Sequence, residues 1–205
     1  MITTTCFSVC GYFNYPVLTN FAILNFIKEM SDVNQSDINL ELINLPKNEI
    51  NHTLLFESGD YSTLIVTGLN ALSDENLTPL SIHFKNKYNI TSELIITPVD
   101  EKGFEVDYML EQDELDNCPR KDDLIQDIAR IFFDVLNPLY GCCGTEMFVD
   151  GMEDVEEKYI IDSKFYYIGY VDFKIMDKFK FINDTHNIER FFVEPLKYGN
   201  MYFKK

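Results

Sequence analysis

The stretch from Asp122 to Asn137 constrains the fold most, because its apolar residues recur at the spacing of one helix face. These residues are Leu124, Ile128, Ile131, Phe132 and Val135. Asp122 or Asp123 is expected to cap the helix, and Pro138 to end it by moving Asn137 out of the right-handed helical region. A helix with so broad an apolar stripe has to be covered by other elements. We therefore predict a central core helix, with Ile128, Phe132 and Val135 nearly inaccessible to solvent.

The segment that follows, Leu136–Glu146, joins this helix to an acidic and then aromatic C-terminal third. Gly141 and Gly144 are expected to bracket a turn, because glycine reaches positive φ without a steric penalty. We predict that this joint organises the surface that the protein presents to a partner.

Strand patterns outnumber helix patterns in the rest of the chain. Strands are predicted at Thr3–Phe13, 38–45, His52–Phe56, Thr63–Thr67, Glu93–Val99, Gly103–Leu110, Lys164–Phe173, Phe191–Val193 and Tyr198–Phe203. Further helices are predicted from Pro16 to about Met30 (with Val17, Phe21, Leu24 and Ile27 on one side), from Thr78-Pro79 onward (with Leu80, Phe84 and Tyr88 on one side) and at Met152–Lys158, and a loop is predicted at Glu111–Asp123. Because strands and helices do not alternate regularly, the pattern favours an α+β fold: a mainly antiparallel β-sheet with two to four helices packed on one face.

Composition agrees with one folded unit. The chain has 205 residues, of which 46% are hydrophobic and 14% aromatic. A disordered chain lacks that much apolar material to bury. We therefore expect residues 1–205 to form a single α+β domain.

The net charge of −17 is segregated along the chain. Residues 100–127 hold 11 acidic and 3 basic side chains, a net of −8, and residues 146–162 hold 7 and 1, a net of −6. Residues 163–205 carry a net of +3. Such a field repels nucleic acid and anionic membranes and attracts basic proteins, although acidic segments also serve solubility alone.

The five cysteines are Cys6, Cys10, Cys118, Cys142 and Cys143. Their number is odd, and Met1–Thr5 lacks the charged start of a signal peptide, so buried thiols in a cytoplasmic protein are expected. Adjacent Cys142 and Cys143 cannot easily direct both sulfurs at one ion, and Cys6 and Cys10 would lie about 13 Å apart along a strand. We therefore expect no metal site. No apolar run reaches the roughly 18 residues of a membrane span.

No motif indicates catalysis. His52, His83 and His186 lack the neighbours that a nucleophile or a zinc site requires, and phosphate-binding glycine loops are absent from the sequence. We expect no catalytic residues and no cofactor.

The acidic segment after the joint contains apolar side chains among its carboxylates, a pattern typical of protein interfaces. The residues predicted to bind a basic protein partner are Tyr140, Met147, Phe148, Asp150, Glu153, Asp154, Glu156 and Glu157.

One family resemblance rests on this region. The run Pro138-Leu139-Tyr140-Gly141-Cys142-Cys143-Gly144-Thr145-Glu146, the acidic turn after it, Tyr166-Tyr167-Ile168-Gly169-Tyr170 and the late Tyr198-Gly199 resemble small acidic immunity proteins of bacterial toxin systems. The resemblance implies a cytoplasmic α+β inhibitor that neutralises a toxin or effector enzyme by occluding a basic site.

Two alternatives stay open. One is a phage-type counter-defence protein that acts as an effector inhibitor or as a nucleic-acid mimic. A mimic would need a long continuous acidic stripe to imitate phosphate spacing. An enzyme of unrecognised type would need a pocket that places a histidine beside a cysteine or carboxylate.

Overall fold

The computed structural model describes residues 5–14, 20–31, 39–42, 79–100, 103–145, 168–176 and 191–204. Its strands are β1 (Cys6–Asn14), β2 (Asn39–Leu42), β3 (Leu80–Lys85), β4 (Thr91–Asp100), β5 (Gly103–Glu111), β6 (Tyr140–Thr145), β7 (Ile168–Asp172), β8 (Phe191–Pro195) and β9 (Gly199–Lys204). Its helices are α1 (Asn20–Met30), α2 (Gln112–Asp116) and α3 (Lys121–Leu136).

The nine strands form one sheet in the order β2-β3-β4-β5-β1-β6-β7-β9-β8. Every neighbouring pair in that order runs antiparallel. The N-terminal strand β1 occupies the middle, between β5 and β6. The predicted fold class, α+β with a mainly antiparallel sheet, is confirmed.

One face of the sheet, here called the helix-side face, carries the apolar core. Along β1 it bears Phe7, Val9 and Phe13, since alternate residues of a strand point to the same side. The ring of Phe26 in α1 meets Tyr108 of β5 edge-on, with ring centroids 5.1 Å apart. These side chains, together with Leu115 of α2 and the buried residues of α3, belong to one core cluster. All three described helices therefore contribute to the same side of the sheet.

Helix α3 lies almost where the sequence predicts it. Asn137 ends it in the left-handed region (φ 55°, ψ 62°) and Pro138 follows, as expected. Asp122 and Asp123 are not caps, however: the residue before the helix is Arg120, which makes no side-chain capping bond. Both aspartates lie in the first turn, where their negative charges interact favourably with the positive end of the helix dipole.

The buried face of α3 is rotated slightly from the predicted stripe. Ile128 and Phe132 are fully buried as predicted, whereas Val135 is only partly buried. Ile125, Phe133 and Leu136 are buried as well. Phe133 stacks on Tyr170 of β7, with ring centroids 4.7 Å apart, so its side of the helix also faces the sheet.

The helix predicted from Thr78-Pro79 is wrong. Leu80, Ile82 and Phe84 are buried in strand β3 and alternate with Ser81, His83 and Lys85. That alternation has a period of two, and the spacing of Leu80 and Phe84 fits a strand as well as a helix. Pairing with β4 along its whole length decides in favour of the strand.

The turn predicted around Gly141 and Gly144 is also wrong, because Tyr140–Thr145 is the interior strand β6. No glycine of the described residues has positive φ. Glycine is needed at position 141 because no side chain fits there. A Cβ atom would lie 2.5 Å from the carbonyl oxygen of Cys10 and 2.6 Å from the Phe133 ring.

Two smaller expectations need correction. The segment Glu111–Asp123, predicted as a loop, contains the short helix α2. In α1 the predicted stripe residue Phe21 is 72% exposed, and Ile23, Phe26, Ile27 and Met30 are the residues buried in the core.

The strands predicted at the N-terminus, at 38–45, in the 93–110 hairpin and near the C-terminus are confirmed as β1, β2, β4–β5, β7, β8 and β9. The predictions for His52–Phe56, Thr63–Thr67 and Met152–Lys158 lie outside the described residues. That residues 1–205 form a single domain stays a prediction. Within the described ranges, the helices are too short or too polar to cross a membrane.

Candidate functional site

Tyr140 is the only one of the eight predicted interface residues that the structure describes. It lies in β6, is 2% exposed, and stacks on Tyr12 of β1 with ring centroids 5.4 Å apart. In this position the ring packs within the sheet and is not offered to a partner. Met147, Phe148, Asp150, Glu153, Asp154, Glu156 and Glu157 lie outside the described residues.

A different acidic surface is formed by α2 and the first two turns of α3. The α2–α3 acidic surface comprises Glu111, Asp113, Glu114, Asp116, Asp122, Asp123 and Asp127. Five of these seven side chains, all of them aspartates, are exposed. The short connection between the two helices keeps both sets of carboxylates near each other, and Lys121 of α3 contacts Asp116 of α2.

Two cations of the same segment partly compensate these charges. Arg120 forms an ion pair with Asp123 at 2.6 Å, and Lys121 contacts Asp116. The hydrogen bond from Lys121 lowers the pKa of Asp116. The Arg120 side chain is 82% exposed, and such exposed pairs contribute little to stability, so a partner's cation can replace it at small cost. Seven carboxylates against two cations leave residues 111–127 at a net of −5.

A shallow depression of about 180 Å³ lies beside this surface. It is lined by Tyr88, Pro119, Arg120, Asp123, Leu124 and Asp127. Burial raises the pKa of the Tyr88 hydroxyl, and the charge of Asp127 raises it further. An aromatic ring and a leucine thus lie among carboxylates, the mixture of anchor and charged rim that protein interfaces use.

The face of the sheet opposite the helix-side face, called here the opposite face, is also largely buried and holds most of the buried polar residues of the strands. Ser8, Ser81, Glu93 and Asp107 are each at most 9% exposed. Strand register places all four on this face, because directly paired residues project to the same side. Ser8 lies near Cys6, with 3.8 Å between its Oγ and the Cys6 sulfur, whereas Ser81 and Glu93 belong to one polar group and Asp107 to another.

The first group is Ser81, His83 and Glu93. Ser81 donates a hydrogen bond of 2.5 Å to Glu93 Oε1, and its Oγ lies 3.0 Å from His83 Nε2. His83 Nε2 is itself 3.4 Å from the same carboxylate oxygen. A nucleophilic serine needs its proton directed at the histidine, whereas here it is committed to the carboxylate. The arrangement is a buried hydrogen-bond cluster that joins β3 to β4.

The second group is Asp107, Cys10 and Cys142, which lie in one row across β5, β1 and β6. Cys10 is directly opposite both Asp107 and Cys142 in the strand register. The sulfurs of Cys10 and Cys142 are 3.8 Å apart. The hydrogen bond with Cys142 raises the pKa of Cys10 most, followed by burial and by the charges of Cys142, Asp107 and Glu105. Burial also raises the pKa of Asp107 well above its ordinary value.

All five cysteines are present as thiols. Four are buried, as predicted, and Cys118 is only partly buried. Cys142 and Cys143 lie on opposite faces of β6, so they do not converge on one point: Cys143 packs in the helix-side core. Within the ranges that the structure describes, no three His, Cys, Asp or Glu side chains are grouped so that they could hold a metal ion.

The sequence predictions included neither the α2–α3 acidic surface nor the row of Asp107, Cys10 and Cys142, and the sequence contains a signal for only the first of them. The α2–α3 acidic surface is announced by the net charge of −8 over residues 100–127. No local pattern in the sequence indicates the row of Asp107, Cys10 and Cys142. Asp107 is 97 positions from Cys10 and Cys142 is 132 positions from it, and the three residues meet only through strand register.

Comparison with known proteins adds no assignment to this geometry. The chain matches no protein-family model, and neither a curated protein nor a solved structure is significantly similar to it.

Proposed function

We propose that this protein is a non-catalytic binding protein that inhibits a basic protein partner, as immunity proteins of bacterial toxin systems do. The observation that carries the proposal is the α2–α3 acidic surface with its depression at Tyr88 and Leu124. The partner is a toxin or effector enzyme whose basic site the acidic surface occludes.

Charge complementarity supports a basic partner. The exposed aspartates of residues 111–127 lie close together on two consecutive helices, so their fields add. Such a surface accelerates encounter with a positively charged partner, and the effect weakens with salt. Tyr88 and Leu124 supply the apolar contact that carboxylates lack.

The predicted segment at residues 147–157 remains part of the proposal as a second acidic contact. Met147 and Phe148 would be its apolar anchors, and Asp150, Glu153, Asp154, Glu156 and Glu157 its charged rim. Which of the two segments faces the partner is a question that matched variants can answer.

The test begins with a pull-down from the source cell, read by native mass spectrometry, followed by an assay of the recovered protein's activity. We expect one basic protein in a fixed stoichiometry, with its activity suppressed by the wild-type chain. If only a small ligand is recovered, or if the recovered protein keeps full activity in the complex, the proposal is wrong.

Two triple variants with the same charge change then locate the interface. Asp113→Asn/Asp122→Asn/Asp123→Asn alters the α2–α3 acidic surface, and Glu153→Gln/Glu156→Gln/Glu157→Gln alters the second segment. We expect the first to slow association several-fold at low salt, and the difference to shrink at 0.1 M salt, where the Debye length is about 10 Å. Equal slowing by both variants would indicate a net-charge effect, and no slowing by the first would place the interface elsewhere.

A further inference from the structure

The row of Asp107, Cys10 and Cys142 has a geometry that ordinary buried cysteines lack. We propose that Cys10 and Cys142 are a redox-active dithiol, oxidised by a peroxide to a disulfide between β1 and β6, and that Asp107 accepts the proton of Cys10. This inference is independent of the proposed binding function.

The backbone already satisfies the requirements of a disulfide. Cys10 and Cys142 are directly paired in an antiparallel ladder, where Cα atoms lie about 4.5–5.5 Å apart. Disulfides span Cα separations of about 4.4–6.8 Å. The sulfurs, now 3.8 Å apart, have to approach to about 2.05 Å, which side-chain rotation can supply without moving either strand.

The two thiols differ in how a small oxidant reaches them. Cys142 is 5% exposed, whereas Cys10 is fully buried. Cys142 is therefore the residue that meets the peroxide, and Cys10 is the residue that resolves the intermediate. The hydrogen bond between the two thiols and burial both raise the pKa of Cys10, so it needs a base before it can attack.

Asp107 is placed to be that base. Asp107 lies in β5, which flanks β1 on the edge away from β6, and it pairs directly with Cys10 in the strand register. Its Oδ1 atom is buried without a hydrogen-bond partner among the described residues. Burial, and then the charge of Glu105, raise the pKa of its carboxyl, which makes the carboxylate a stronger base. A side-chain hydrogen bond with Cys10 partly opposes this rise in pKa, and it places the Asp107 carboxylate within reach of the thiol proton.

The chemistry balances in two steps. In the first, the Cys142 sulfur attacks hydrogen peroxide, the O–O bond breaks, and the leaving hydroxide takes the thiol proton, so that a sulfenic acid and one water form. In the second, Cys10 transfers its proton to Asp107 and attacks the Cys142 sulfur, the S–O bond breaks, and the leaving hydroxide takes that proton from Asp107 to become the second water. One peroxide is reduced while two thiols are oxidised to one disulfide.

The first experiment treats the folded full chain with hydrogen peroxide and maps its cysteines by intact mass and by a non-reduced digest. We expect the loss of two hydrogen atoms and a peptide pair that links Cys10 to Cys142, both reversed by a thiol reductant. Cys143→Ala, next to Cys142 but on the helix-side face, should behave like the wild type, and Cys142→Ala should form no such link. If Cys10 and Cys142 remain alkylatable as thiols after treatment and denaturation, the proposal is overturned.

The second experiment isolates the role of Asp107. In Asp107→Asn, the sulfenic acid of Cys142 should form at the wild-type rate but persist, trapped by a sulfenic-acid reagent, while disulfide closure slows by about a hundredfold, the lower range for a positioned base. A purely structural role would change both steps or neither. Unchanged closure in a variant that circular dichroism shows to be folded would remove Asp107 from the proposal.

Discussion

The two faces of the central sheet are both buried, yet they are built from different side chains. On the helix-side face, strands β3, β4 and β5 contribute Leu80, Ile82, Leu94, Ile96 and Val106, each fully buried. On the opposite face, the same three strands contribute Ser81, Glu93 and Asp107. Sequence alternation alone separates the two sets, since neighbouring residues of a strand project to opposite sides.

The difference teaches where stability and where specificity reside. Burial of apolar surface is favourable in rough proportion to area and requires no particular partner. A buried polar group, by contrast, costs free energy unless it is hydrogen-bonded, so each such group needs a defined neighbour. We infer that the helix-side face contributes most of the stability, whereas the opposite face holds the buried polar groups, among them the row for which a redox role is proposed.

The largest expected effect is on the helix-side face. Phe132→Ala removes a fully buried ring that meets Phe26 edge-on at 5.5 Å, and should lower the free energy of unfolding by about 3–5 kcal/mol. Phe21→Ala, which removes a ring that is 72% exposed, is the matched control and should cost less than about 0.5 kcal/mol. Urea unfolding of both variants measures the contrast. A loss below about 1 kcal/mol for Phe132→Ala would make α3 peripheral.

An intermediate effect is expected where the helix and the strand meet. In Gly141→Ala the new methyl group would lie 2.5 Å from the backbone oxygen of Cys10, which cannot move without disturbing β1. Overpacking of this kind should cost about 1–3 kcal/mol in urea unfolding. Thr145→Ala, at the exposed end of the same strand, controls for strand propensity. Equal stability of the two variants would mean that β6 can shift away from α3.

The smallest effect, and one of opposite sign, is expected on the opposite face. Because burial raises the folded-state pKa of Asp107, the stability that its neutral form contributes is present below the unfolded pKa of about 3.8 and is lost as the pH rises through the folded pKa. Asp107→Asn cannot ionise and should be more stable than the wild type at neutral pH.

That advantage should disappear as the pH falls, and urea unfolding of both chains between about pH 4 and about pH 8 measures it. Glu105→Gln, which removes the neighbouring charge and leaves Asp107 in place, should reproduce only part of the gain. If Asp107→Asn is less stable than the wild type at neutral pH, the Asp107 carboxylate is well solvated or paired in the folded protein.

Several elements could be predicted because local pattern and tertiary context agree. Helix α3 was predicted within one residue at each end, since its apolar spacing and the Asn137-Pro138 stop point to the same boundaries. The β4–β5 hairpin followed from two strand patterns around a short turn. Strand β3 was missed because the spacing of Leu80 and Phe84 satisfies two periodicities, and only pairing with β4 chooses between them.

Of the candidate site, only the net negative charge could be predicted from the sequence. Charge is additive along a chain, so the acidity of residues 100–127 was visible, but the arrangement of that charge on α2 and α3 was not. Tyr140 illustrates the limit. Its neighbours in sequence suggested an exposed anchor, whereas stacking on Tyr12 buries it.

The sequence by itself determined the fold class, the core helix and the segregation of charge, because these depend on periodicity and composition within short windows. The tertiary structure alone decided which strands became neighbours. Strand β1 pairs with β5, whose residues lie 89 to 105 positions away along the chain, and with β6, whose residues lie 128 to 138 positions away. No local pattern encodes that register, because the free energy that selects it comes from burying both faces of the sheet at once. The meeting of Asp107, Cys10 and Cys142 is a consequence of that selection.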